Sequence, residues 1–503
     1  MVNPDMKPHL HPLMLAGTGS DVGKSVLAAG LCRIFLQDGY HPAPFKAQNM
    51  ALNSAATPDG LEIGRAQAVQ AEAAGIAPEA DMNPLLLKPQ TDHTSQVVLL
   101  GRPAGTRAAY DYFRREGREE LRDVVVEAFR RLERRFNPIV MEGAGSISEL
   151  NLRESDLVNM PMARAADADV ILVGDIDRGG IFASLYGSVM LQDEADRRRI
   201  KGIIVNKFRG DMRLFESGRR LIEQTCGVPV LGVVPWFTDI AIEEEDSVAL
   251  ARKRRKAVAG RINVAVVLLR HISNFTDFNA LERDERVNLY YTDSPAEVDE
   301  ADVVLLPGSK STIADLRDLR LNGMASAIDR ARRRGATIAG ICGGYQMMGL
   351  EVADPEGIEG EPCSAPGLGL LPVRTRIGGS KLTVPAHFSL PGHSGACEGY
   401  EIHMGTSELE PGAHHLCMID DTRADGCIAD ARCFGTYIHG FFDNAPARDM
   451  LLAPLADRLA GEAAPVEAAD PAAFRNEQYD RLADLLRRFI DIPRLYQILS
   501  TND

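Results

Sequence analysis

The sequence predicts an α/β protein with two parallel β-sheets, each covered by helices on both faces. Short continuous apolar runs alternate with stretches of helical spacing, which is the pattern of buried parallel strands. This alternation stops after Pro235, where an acidic and a basic block follow one another. It starts again at Ile262, which indicates a second unit of the same class.

The predicted buried strands fall into two groups along the chain. They are Leu13–Ala16, Pro138–Met141, Val170–Val173, Ile203–Val205 and Val230–Val234 in the first unit, and Ile262–Leu269, Val303–Leu306 and Thr337–Ile341 in the second. We therefore predict an N-terminal tail (1–11), a first α/β unit (12–235), a charged linker (236–260), a second α/β unit (261–447) and a C-terminal helical appendage (448–503).

Composition excludes several classes of partner. The 503 residues include 56 Lys and Arg against 71 Asp and Glu, a net charge of −15, and nucleic-acid binding needs a basic surface, so we expect no nucleic-acid partner. No apolar run has the roughly 18 residues of a transmembrane helix, so we expect no membrane partner. The 8 cysteines form no Cys-x-x-Cys pair, which argues against a zinc site and favours the reducing cytoplasm. Whether the chain forms a homo-oligomer stays open.

A glycine-rich loop follows the first predicted strand and precedes a predicted helix. In this setting, backbone N–H groups and a helix N-terminus surround phosphates, a lysine reaches the β- and γ-phosphates, and a serine hydroxyl binds Mg²⁺. The strict P-loop pattern has glycine where Thr18 stands, so the alternative is a glycine-rich turn with an incidental lysine. The loop residues predicted to bind ATP are Thr18, Gly19, Asp21, Val22, Gly23, Lys24 and Ser25.

Other polar residues follow predicted strands of the first unit, where the ends of parallel strands face a ligand crevice. Glu142 is predicted as a second Mg²⁺ ligand beside Ser25, and the alternative is a carboxylate that caps the next turn. Asp175 and Asp177 would bind Mg²⁺ or position a substrate, although turn chemistry also explains them. Asn206 would read an adenine edge or cap a helix.

A cysteine occupies a strand-to-helix turn in the second unit, within Gly340-Ile341-Cys342-Gly343-Gly344. Flanking glycines permit the sharp turn of a nucleophile elbow, and a helix N-terminus lowers a thiol pKa and supplies N–H groups to an oxyanion. Such a nucleophile needs a base, and His439 is the leading candidate. Gly308 would supply a further oxyanion N–H. The alternative for Cys342 is a small buried apolar residue.

Together these motifs resemble those of the cobyric acid synthase family, the glutamine-dependent amidotransferases of cobalamin biosynthesis. The P-loop precedes Gly-Ile-Cys-Gly-Gly-Tyr-Gln, and the resemblance covers residues 12–447. It implies a P-loop parallel-sheet synthetase domain related to dethiobiotin synthetase, followed by a class I glutamine amidotransferase domain. The supporting motifs are Phe45–Asn53, Glu142–Ser146, Asn151–Met160, Gly174–Gly180 and Gly399–His403.

The resemblance also implies a reaction. The b, d, e and g carboxylates of adenosylcobyrinic acid a,c-diamide would become amides through acyl phosphates, which gives adenosylcobyric acid. ATP and glutamine would be consumed, and Mg²⁺ would be required. Cys342 would release ammonia from glutamine while His439 moves protons. Cobalt would arrive inside the corrinoid substrate, so no protein-bound transition metal is expected. The implied substrate-site candidates are Lys46, Gln48, Asn49, Asn53, Asp156, Asp175 and Asp177, and the implied glutamine and oxyanion site comprises Gly308, Gly343 and Gln346.

One departure from the wider class I pattern concerns the base. Those glutaminases usually carry a glutamate two residues after the catalytic histidine, whereas Phe441 stands there and cannot accept an N–H bond, so the third member of the triad is missing. We therefore expect the His439 ring to be oriented by a backbone carbonyl, by another side chain, or only when the synthetase site is occupied. Slow basal glutaminase activity follows from this.

Two other function classes stay open on sequence alone. One is a P-loop switch ATPase of the partition type, which would need no glutaminase. The other is a binding module with a decayed glutaminase domain, against which the presence of both Cys342 and His439 argues.

Overall fold

The computed structural model describes residues 7–89, 94–108, 118–243, 250, 256–393, 395–455 and 471–500. Parts of the predicted tail, linker and appendage, with most of the two charged blocks, lie outside the described residues. The described residues form two α/β units, as the sequence predicts.

The first unit is built on a six-stranded parallel sheet. Its central strand, Leu13–Gly17, is fully buried and lies between Asp169–Asp175 and Ile139–Glu142. From edge to edge the strands are Val230–Pro235, Ile200–Phe208, Asp169–Asp175, Leu13–Gly17, Ile139–Glu142 and Ala43–Phe45. The helices of this unit are Lys24–Gln37, Arg65–Ala73, Arg118–Glu133, Met160–Ala165, Ile181–Met190, Glu194–Arg199 and Glu216–Cys226. Because helices cover both faces, the strands are continuously apolar.

Two small sheets extend the first unit towards the second. The sequence analysis did not predict their strands, most of which contain polar or small residues instead of a continuous apolar run. The four-stranded sheet comprises Gln48–Met50, Leu85–Pro89, Thr94–Leu99 and Arg102–Ala108, and the two-stranded sheet pairs Ser54–Ala56 with Glu62–Gly64. Strand Ser54–Ala56 contacts Leu382–Ser389 and Cys397–His403 of the second unit, so this extension forms part of the interface between the units.

The second unit has a six-stranded sheet of its own, parallel except at one edge. Its strands are Val287–Thr292, Ile262–Val267, Val303–Leu306, Thr337–Ile341, Cys433–Thr436 and Cys427–Asp430. Its helices are Asn279–Glu282, Pro295–Asp299, Thr312–Leu321, Met324–Arg333, Gly343–Met348 and Ala445–Leu452.

Three further sheets accompany that parallel sheet and carry loops around its carboxyl edge. One pairs Ile272–Ser273 with Gly308–Ser309. A second comprises Cys363–Pro366, Glu351–Asp354, Val373–Arg376 and Thr406–Leu409. The third comprises Arg423–Asp425, Cys417–Ile419, Leu382–Ser389, Cys397–His403 and Ile438–His439.

The C-terminal helices Pro471–Phe489 and Ile492–Ser500 return to the first unit and complete its core. Gly30 has no side chain because the appendage packs directly on its helix: an added Cβ would lie 2.4 Å from Leu486 Cδ1. Apolar packing therefore holds the C-terminal helices against the first unit, although the two segments lie at opposite ends of the sequence.

Within the described residues, no helix combines the length and apolar character needed to cross a membrane. No cluster of three or more His, Cys, Asp or Glu side chains in that same part of the chain is arranged to hold a metal ion. The eight cysteines are all free thiols.

Candidate active sites and the contact between them

The glycine-rich loop joins the central strand of the first sheet to helix Lys24–Gln37. Gly23 has φ +96°, and an added Cβ would lie 2.2 Å from Asn206 Nδ2, so both its backbone conformation and its surroundings require glycine. Lys24 Nζ donates to the carbonyls of Gly19 at 3.0 Å and Gly145 at 3.1 Å. The ammonium group is thereby folded back over the loop, where it can reach a phosphate.

Thr18 occupies the position at which the strict pattern has glycine. Its N–H donates to the carbonyl of Val173 at 3.0 Å, and it forms an isolated bridge with Ser146. The positive-φ residues of this loop are Asp21 and Gly23, and Thr18 is not among them. A side chain is therefore tolerated at this position, and the departure leaves the loop geometry intact.

Glu142 ends strand Ile139–Glu142 and joins three separated segments of the sequence. Its Oε1 accepts from Ser25 Oγ and from Lys46 Nζ, both at 2.8 Å, and its Oε2 accepts from Gln70 Nε2 at 2.7 Å. Burial raises the pKa of Glu142, but the Lys46 ammonium and the hydrogen bonds outweigh burial and lower it. The carboxylate is therefore charged beside the P-loop serine, as a Mg²⁺ ligand must be.

Gln70 was not predicted from the sequence. It lies on the alanine-rich helix Arg65–Ala73, where nothing in the local pattern separates it from a surface glutamine. Its Oε1 is buried and has no hydrogen-bond partner among the described residues. Ser25 Oγ and the Glu142 carboxylate are oxygen donors of the kind that Mg²⁺ prefers, and Gln70, which contacts that carboxylate through Nε2, carries a further amide oxygen, so the residues present fit this ion.

The other acidic candidates of the first unit are engaged with basic side chains. Asp175 Oδ2 accepts from Lys207 Nζ at 3.0 Å, and Asp177 Oδ1 accepts from Arg209 Nε at 2.8 Å. Asp21 Oδ2 accepts from Arg178 Nη2 at 3.1 Å. These pairings give each carboxylate a structural role. The assignment of Asp175 and Asp177 to Mg²⁺ or substrate, and of Asp21 to ATP, stays a prediction.

Asn206 lies against the P-loop and holds its backbone. Its Nδ2 donates to the carbonyl of Val22 at 2.8 Å. This contact explains both its burial and the requirement for Gly23. This bond does not cap a helix, which was one of the two roles predicted for Asn206.

The remaining substrate-site candidates lie on other segments of the first unit. Gln48 and Asn49 lie on strand Gln48–Met50, and Asn49 Nδ2 donates to Gln67 Oε1 at 3.1 Å. Asn53 is buried at the end of this segment. Asp156 Oδ1 accepts from the backbone N–H of Asn159 at 3.0 Å, which shapes the turn beside the Glu142 loop. Their contact with a substrate stays a prediction.

Cys342 lies at the turn between strand Thr337–Ile341 and helix Gly343–Met348, with φ +52° and ψ −110°. Positive φ is rare for a residue with a side chain, and such strain is typical of nucleophile elbows. A Cβ added at Gly344 would lie 2.0 Å from the carbonyl oxygen of Leu306, so this neighbouring position must be glycine. The thiol Sγ donates to the carbonyl of Ile402 at 3.6 Å.

The predicted oxyanion and glutamine-binding residues surround this elbow. A Cβ added at Gly308 would lie 3.5 Å from His439 Cε1, and one at Gly343 would lie 2.7 Å from the nitrogen of Ser309. Gln346 Nε2 donates to the Met404 carbonyl at 3.2 Å. The structure therefore places Gly308, Gly343 and Gln346 close to the nucleophile, and their roles stay predictions.

His439 has an acidic partner that the sequence analysis missed. Its Nδ1 lies 2.7 Å from Asp277 Oδ2, and Asp277 Oδ1 accepts from the N–H of Gly440 at 2.9 Å. Of the three possibilities that the sequence left open for orienting the ring, the structure shows another side chain: Asp277 takes the place of the usual glutamate. Burial lowers the pKa of His439, but Asp277 and a Cys342 thiolate outweigh burial and raise it to about 10.

Phe441, which stands at the position of the usual glutamate, belongs to the core. Its ring stacks on Phe388 with centroids 5.3 Å apart and is fully buried. Asp277 lies 162 residues before His439, in a 3₁₀ turn, Phe275–Phe278. No sequence spacing indicates such a partner, because only the fold brings the two segments together.

Two family models match the two units separately. The model described as the CobQ/CobB/MinD/ParA nucleotide binding domain matches residues 13–248, and that of the CobB/CobQ-like glutamine amidotransferase domain matches residues 263–447.

Several curated relatives named cobyric acid synthase match nearly the full chain. The one from Phocaeicola vulgatus is 63% identical over 500 residues, which covers 99% of this chain and 100% of the relative. One from Bacteroides fragilis is 64% identical with the same coverage. One from Syntrophobacter fumaroxidans is 51% identical and covers 97% of this chain and 98% of the relative. This chain belongs to the cobyric acid synthase family.

Membership of the cobyric acid synthase family makes the protein a glutamine-dependent amido-ligase of cobalamin biosynthesis. The predicted family and the two-part fold class are thereby confirmed. The two alternatives, a partition-type switch and a binding module without catalysis, are wrong for this chain.

In this member of the cobyric acid synthase family, the two units meet beside His439. The Ser54 N–H of the first unit donates to Asn274 Oδ1 at 3.0 Å, and Tyr400 of the second unit donates its hydroxyl to the Ser54 carbonyl at 3.4 Å. Asn274 Nδ2 lies 3.2 Å from His439 Nε2, and the Tyr400 ring stacks on the imidazole with centroids 5.3 Å apart. One residue of the synthetase unit is therefore linked to the glutaminase base by two routes.

Proposed function

We propose that the enzyme converts the b, d, e and g carboxylates of adenosylcobyrinic acid a,c-diamide to amides, with one ATP and one glutamine consumed at each. The observation that carries this proposal is the presence, in one chain, of a buried Cys342–His439–Asp277 set and a P-loop whose Ser25 is paired with Glu142. The first arrangement suits ammonia release from glutamine, and the second suits activation of an acid by ATP.

Activation of the acid is assigned to the first unit. A carboxylate is a poor electrophile, and attack of its oxygen on the γ-phosphorus of ATP would give an acyl phosphate and ADP. Lys24, held over the loop by two carbonyls, would stabilise charge on the transferring phosphoryl group. Lys46 would hold Glu142 in place through its 2.8 Å contact.

Mg²⁺ is assigned to Ser25, Glu142 and Gln70. Bound there, the ion would neutralise charge on the phosphate oxygens. The support is the charged, buried Glu142 carboxylate next to the Ser25 hydroxyl, together with the Gln70 Oε1 that lacks a partner among the described residues.

Ammonia production is assigned to the second unit. The Cys342 thiolate attacks the side-chain carbonyl of glutamine, and His439 delivers a proton to the leaving nitrogen, so that ammonia departs and a thioester stays on the sulfur. Water activated by His439 then hydrolyses the thioester to glutamate. Asp277 holds the imidazole with Nδ1 protonated. Ammonia then attacks the acyl phosphate, and phosphate leaves as the amide forms.

The substrate and the number of conversions are tested by mass spectrometry. The enzyme is incubated with cobyrinic acid a,c-diamide in its adenosyl form, ATP, Mg²⁺ and glutamine, and we expect products with one, two, three and finally four added amides. A reaction that ends before the fourth amide, or an unchanged diamide, contradicts the proposal.

Lys24→Ala should lower amidation by about 10²- to 10³-fold, the usual cost of losing one charge-stabilising group in a transition state. The loss should be equal with glutamine and with ammonium as nitrogen donor, because activation of the acid precedes nitrogen transfer. Initial rates with both donors measure this, and Lys201→Ala on strand Ile200–Phe208 serves as the lysine control. Parental rates with ammonium would show that Lys24 does not serve the phosphate.

Glu142→Gln should raise the Mg²⁺ concentration needed for half-maximal amidation. The amide keeps the shape of the side chain but loses the negative charge that attracts the ion. A Mg²⁺ titration of ammonium-dependent amidation measures the effect. An unchanged titration would place the ligand elsewhere, and Asp175→Asn would then be the next variant to titrate.

A further inference from the structure

The nucleophile and the base each have a hydrogen-bond partner outside the pair. The Cys342 thiol donates to the Ile402 carbonyl at 3.6 Å. The Nε2 atom of His439, which would have to accept the thiol proton, lies 3.2 Å from Asn274 Nδ2. Both atoms that must exchange a proton are therefore bonded to groups outside the pair.

The direction of the bond between Asn274 and His439 is fixed from the first unit. A backbone N–H can only donate, so the Ser54 N–H, 3.0 Å from Asn274, must face the amide oxygen. The NH₂ group of Asn274 then faces His439, and Nε2 must be the acceptor. In this arrangement Nε2 carries no proton, and the imidazole proton lies on Nδ1, where it is shared with Asp277. The raised pKa of His439 belongs to the other state of the pair, in which Cys342 is a thiolate and Nε2 is free to take a proton.

We propose that Asn274 is a positioning residue that keeps the Cys342–His439 pair in a resting state, and that Ser54 of the synthetase unit controls it. The inference deepens the proposed function and rests on it for the identity of the ligands that release the restraint. While the Asn274 amide donates to Nε2, the lone pair of the base is occupied and the thiol keeps its proton.

Release of Asn274 would allow one proton transfer. The S–H bond of Cys342 breaks and an N–H bond forms at His439 Nε2, which gives a thiolate and an imidazolium. The imidazolium is stabilised by the Asp277 carboxylate, 2.7 Å from Nδ1. As long as the Asn274 NH₂ group faces Nε2, that protonation is disfavoured because two donors would oppose each other.

Ser54 is placed to connect this restraint with the synthetase site. It directly follows the Lys46–Asn53 segment, and Lys46 bonds to Glu142 beside the P-loop serine. The Ser54 hydroxyl donates to Glu62 Oε1 at 2.7 Å and accepts from Lys88 Nζ at 2.9 Å. A change at the synthetase site that shifts this segment would move the Ser54 backbone.

The same cluster also ties the second unit to Ser54. Lys381 of the second unit bonds to the other oxygen of Glu62. Burial raises the pKa of Glu62, but Lys381 and Lys88 outweigh burial and lower it, so the carboxylate stays charged between the two lysines. Ser54 is thus held by a buried ion cluster that spans both units, while its backbone contacts Asn274 and Tyr400.

The test measures how fast iodoacetamide alkylates Cys342, followed by mass spectrometry of the peptide that contains it. Asn274 has φ +51°, so Asn274→Gly removes the amide without imposing backbone strain. Without any substrate, we expect the variant to be alkylated about tenfold faster than the parental enzyme at pH 7, because the thiolate is the reactive form. Glutamate release from glutamine alone should rise in parallel.

The parental enzyme supplies the second arm. Adding ATP, Mg²⁺, the corrinoid diamide and ammonium should accelerate alkylation of parental Cys342 and leave the Asn274→Gly rate almost unchanged. The control is Asn263→Ala, which removes another buried asparagine of the second unit that bonds to the Val258 carbonyl at 3.1 Å.

Three results would overturn the inference. The first is that Cys342 of Asn274→Gly is alkylated no faster than Cys342 of the parental enzyme. The second is that Asn263→Ala accelerates alkylation as much as Asn274→Gly does. The third is that the parental enzyme makes amides from ammonium while the alkylation rate of Cys342 does not rise. If the proposed function is wrong, no amides form when ATP, Mg²⁺, the corrinoid diamide and ammonium are added. The alkylation rates of Asn274→Gly and the parental enzyme without substrates still test whether Asn274 restrains the pair.

Discussion

Cys342→Ala should lose glutamine-dependent amidation entirely and keep ammonium-dependent amidation at close to the parental rate. The sulfur forms the thioester from which ammonia is released, and an alanine methyl group cannot replace it. The acyl phosphate is made in the other unit, whose P-loop lies on a different sheet, so free ammonium can still reach it. Initial rates of amide formation with each nitrogen donor measure the split.

The natural control for that variant is Cys433→Ala. Cys433 is a buried free thiol of the same sheet, on the strand that pairs with Thr337–Ile341, and it has no part in the proposed chemistry. It should retain both activities. An equal loss of amidation activity with both nitrogen donors, in a folded Cys342→Ala protein, would contradict the assignment of ammonia release and acid activation to separate units.

Asp277→Asn should lower glutamine-dependent amidation by up to about 10⁴-fold, the loss seen when the carboxylate of a serine-protease triad becomes an amide. The carboxylate fixes the proton on Nδ1 of His439 and stabilises the imidazolium. Burial already lowers the pKa of His439, and Asp277 is the largest opposing influence, so the pKa should fall in the variant. The imidazolium that must form beside the thiolate during the reaction is then disfavoured at neutral pH, whereas ammonium-dependent amidation is unaffected.

Asp284→Asn provides the matched carboxylate-to-amide control in the same unit. Asp284 is partly buried and pairs with Arg286, with a closest distance of 2.6 Å, away from the proposed chemistry. Its replacement should leave the ratio of glutamine-dependent to ammonium-dependent rates as in the parental enzyme. A similar ratio for Asp277→Asn would show that Asp277 only supports the fold.

The parts of the sites that sequence reasoning found are those encoded in contiguous segments. The P-loop and the cysteine elbow each lie between a strand and a helix, so local glycines and one reactive side chain identify them. Glu142 was found because it ends a predicted strand. Gln70, Asn274 and Asp277 carry no such signal, because each lies on an ordinary helix or turn and gains its role only from a distant partner.

The sequence could not say which group orients His439 for the same reason. Sequence comparison with class I glutaminases looks for the acidic group at a fixed spacing from the histidine, and at that spacing Phe441 completes an aromatic core. An imidazole needs a carboxylate at hydrogen-bond distance from Nδ1, and the chain can supply that oxygen from any segment that the fold brings close. Here the turn Phe275–Phe278 supplies it.

The sequence by itself determined the two α/β units and predicted a phosphate loop, a cysteine nucleophile and a histidine base, because periodicity and strand-end motifs are properties of neighbouring residues. Only the tertiary structure decided which acid orients His439, how Ser25, Lys46 and Gln70 converge on Glu142, and how Ser54 meets Asn274. The C-terminal helices likewise completed the first core only through long-range packing. Hydrogen bonds act over about 3 Å, and contacts between segments hundreds of residues apart are set by how the sheets and helices pack.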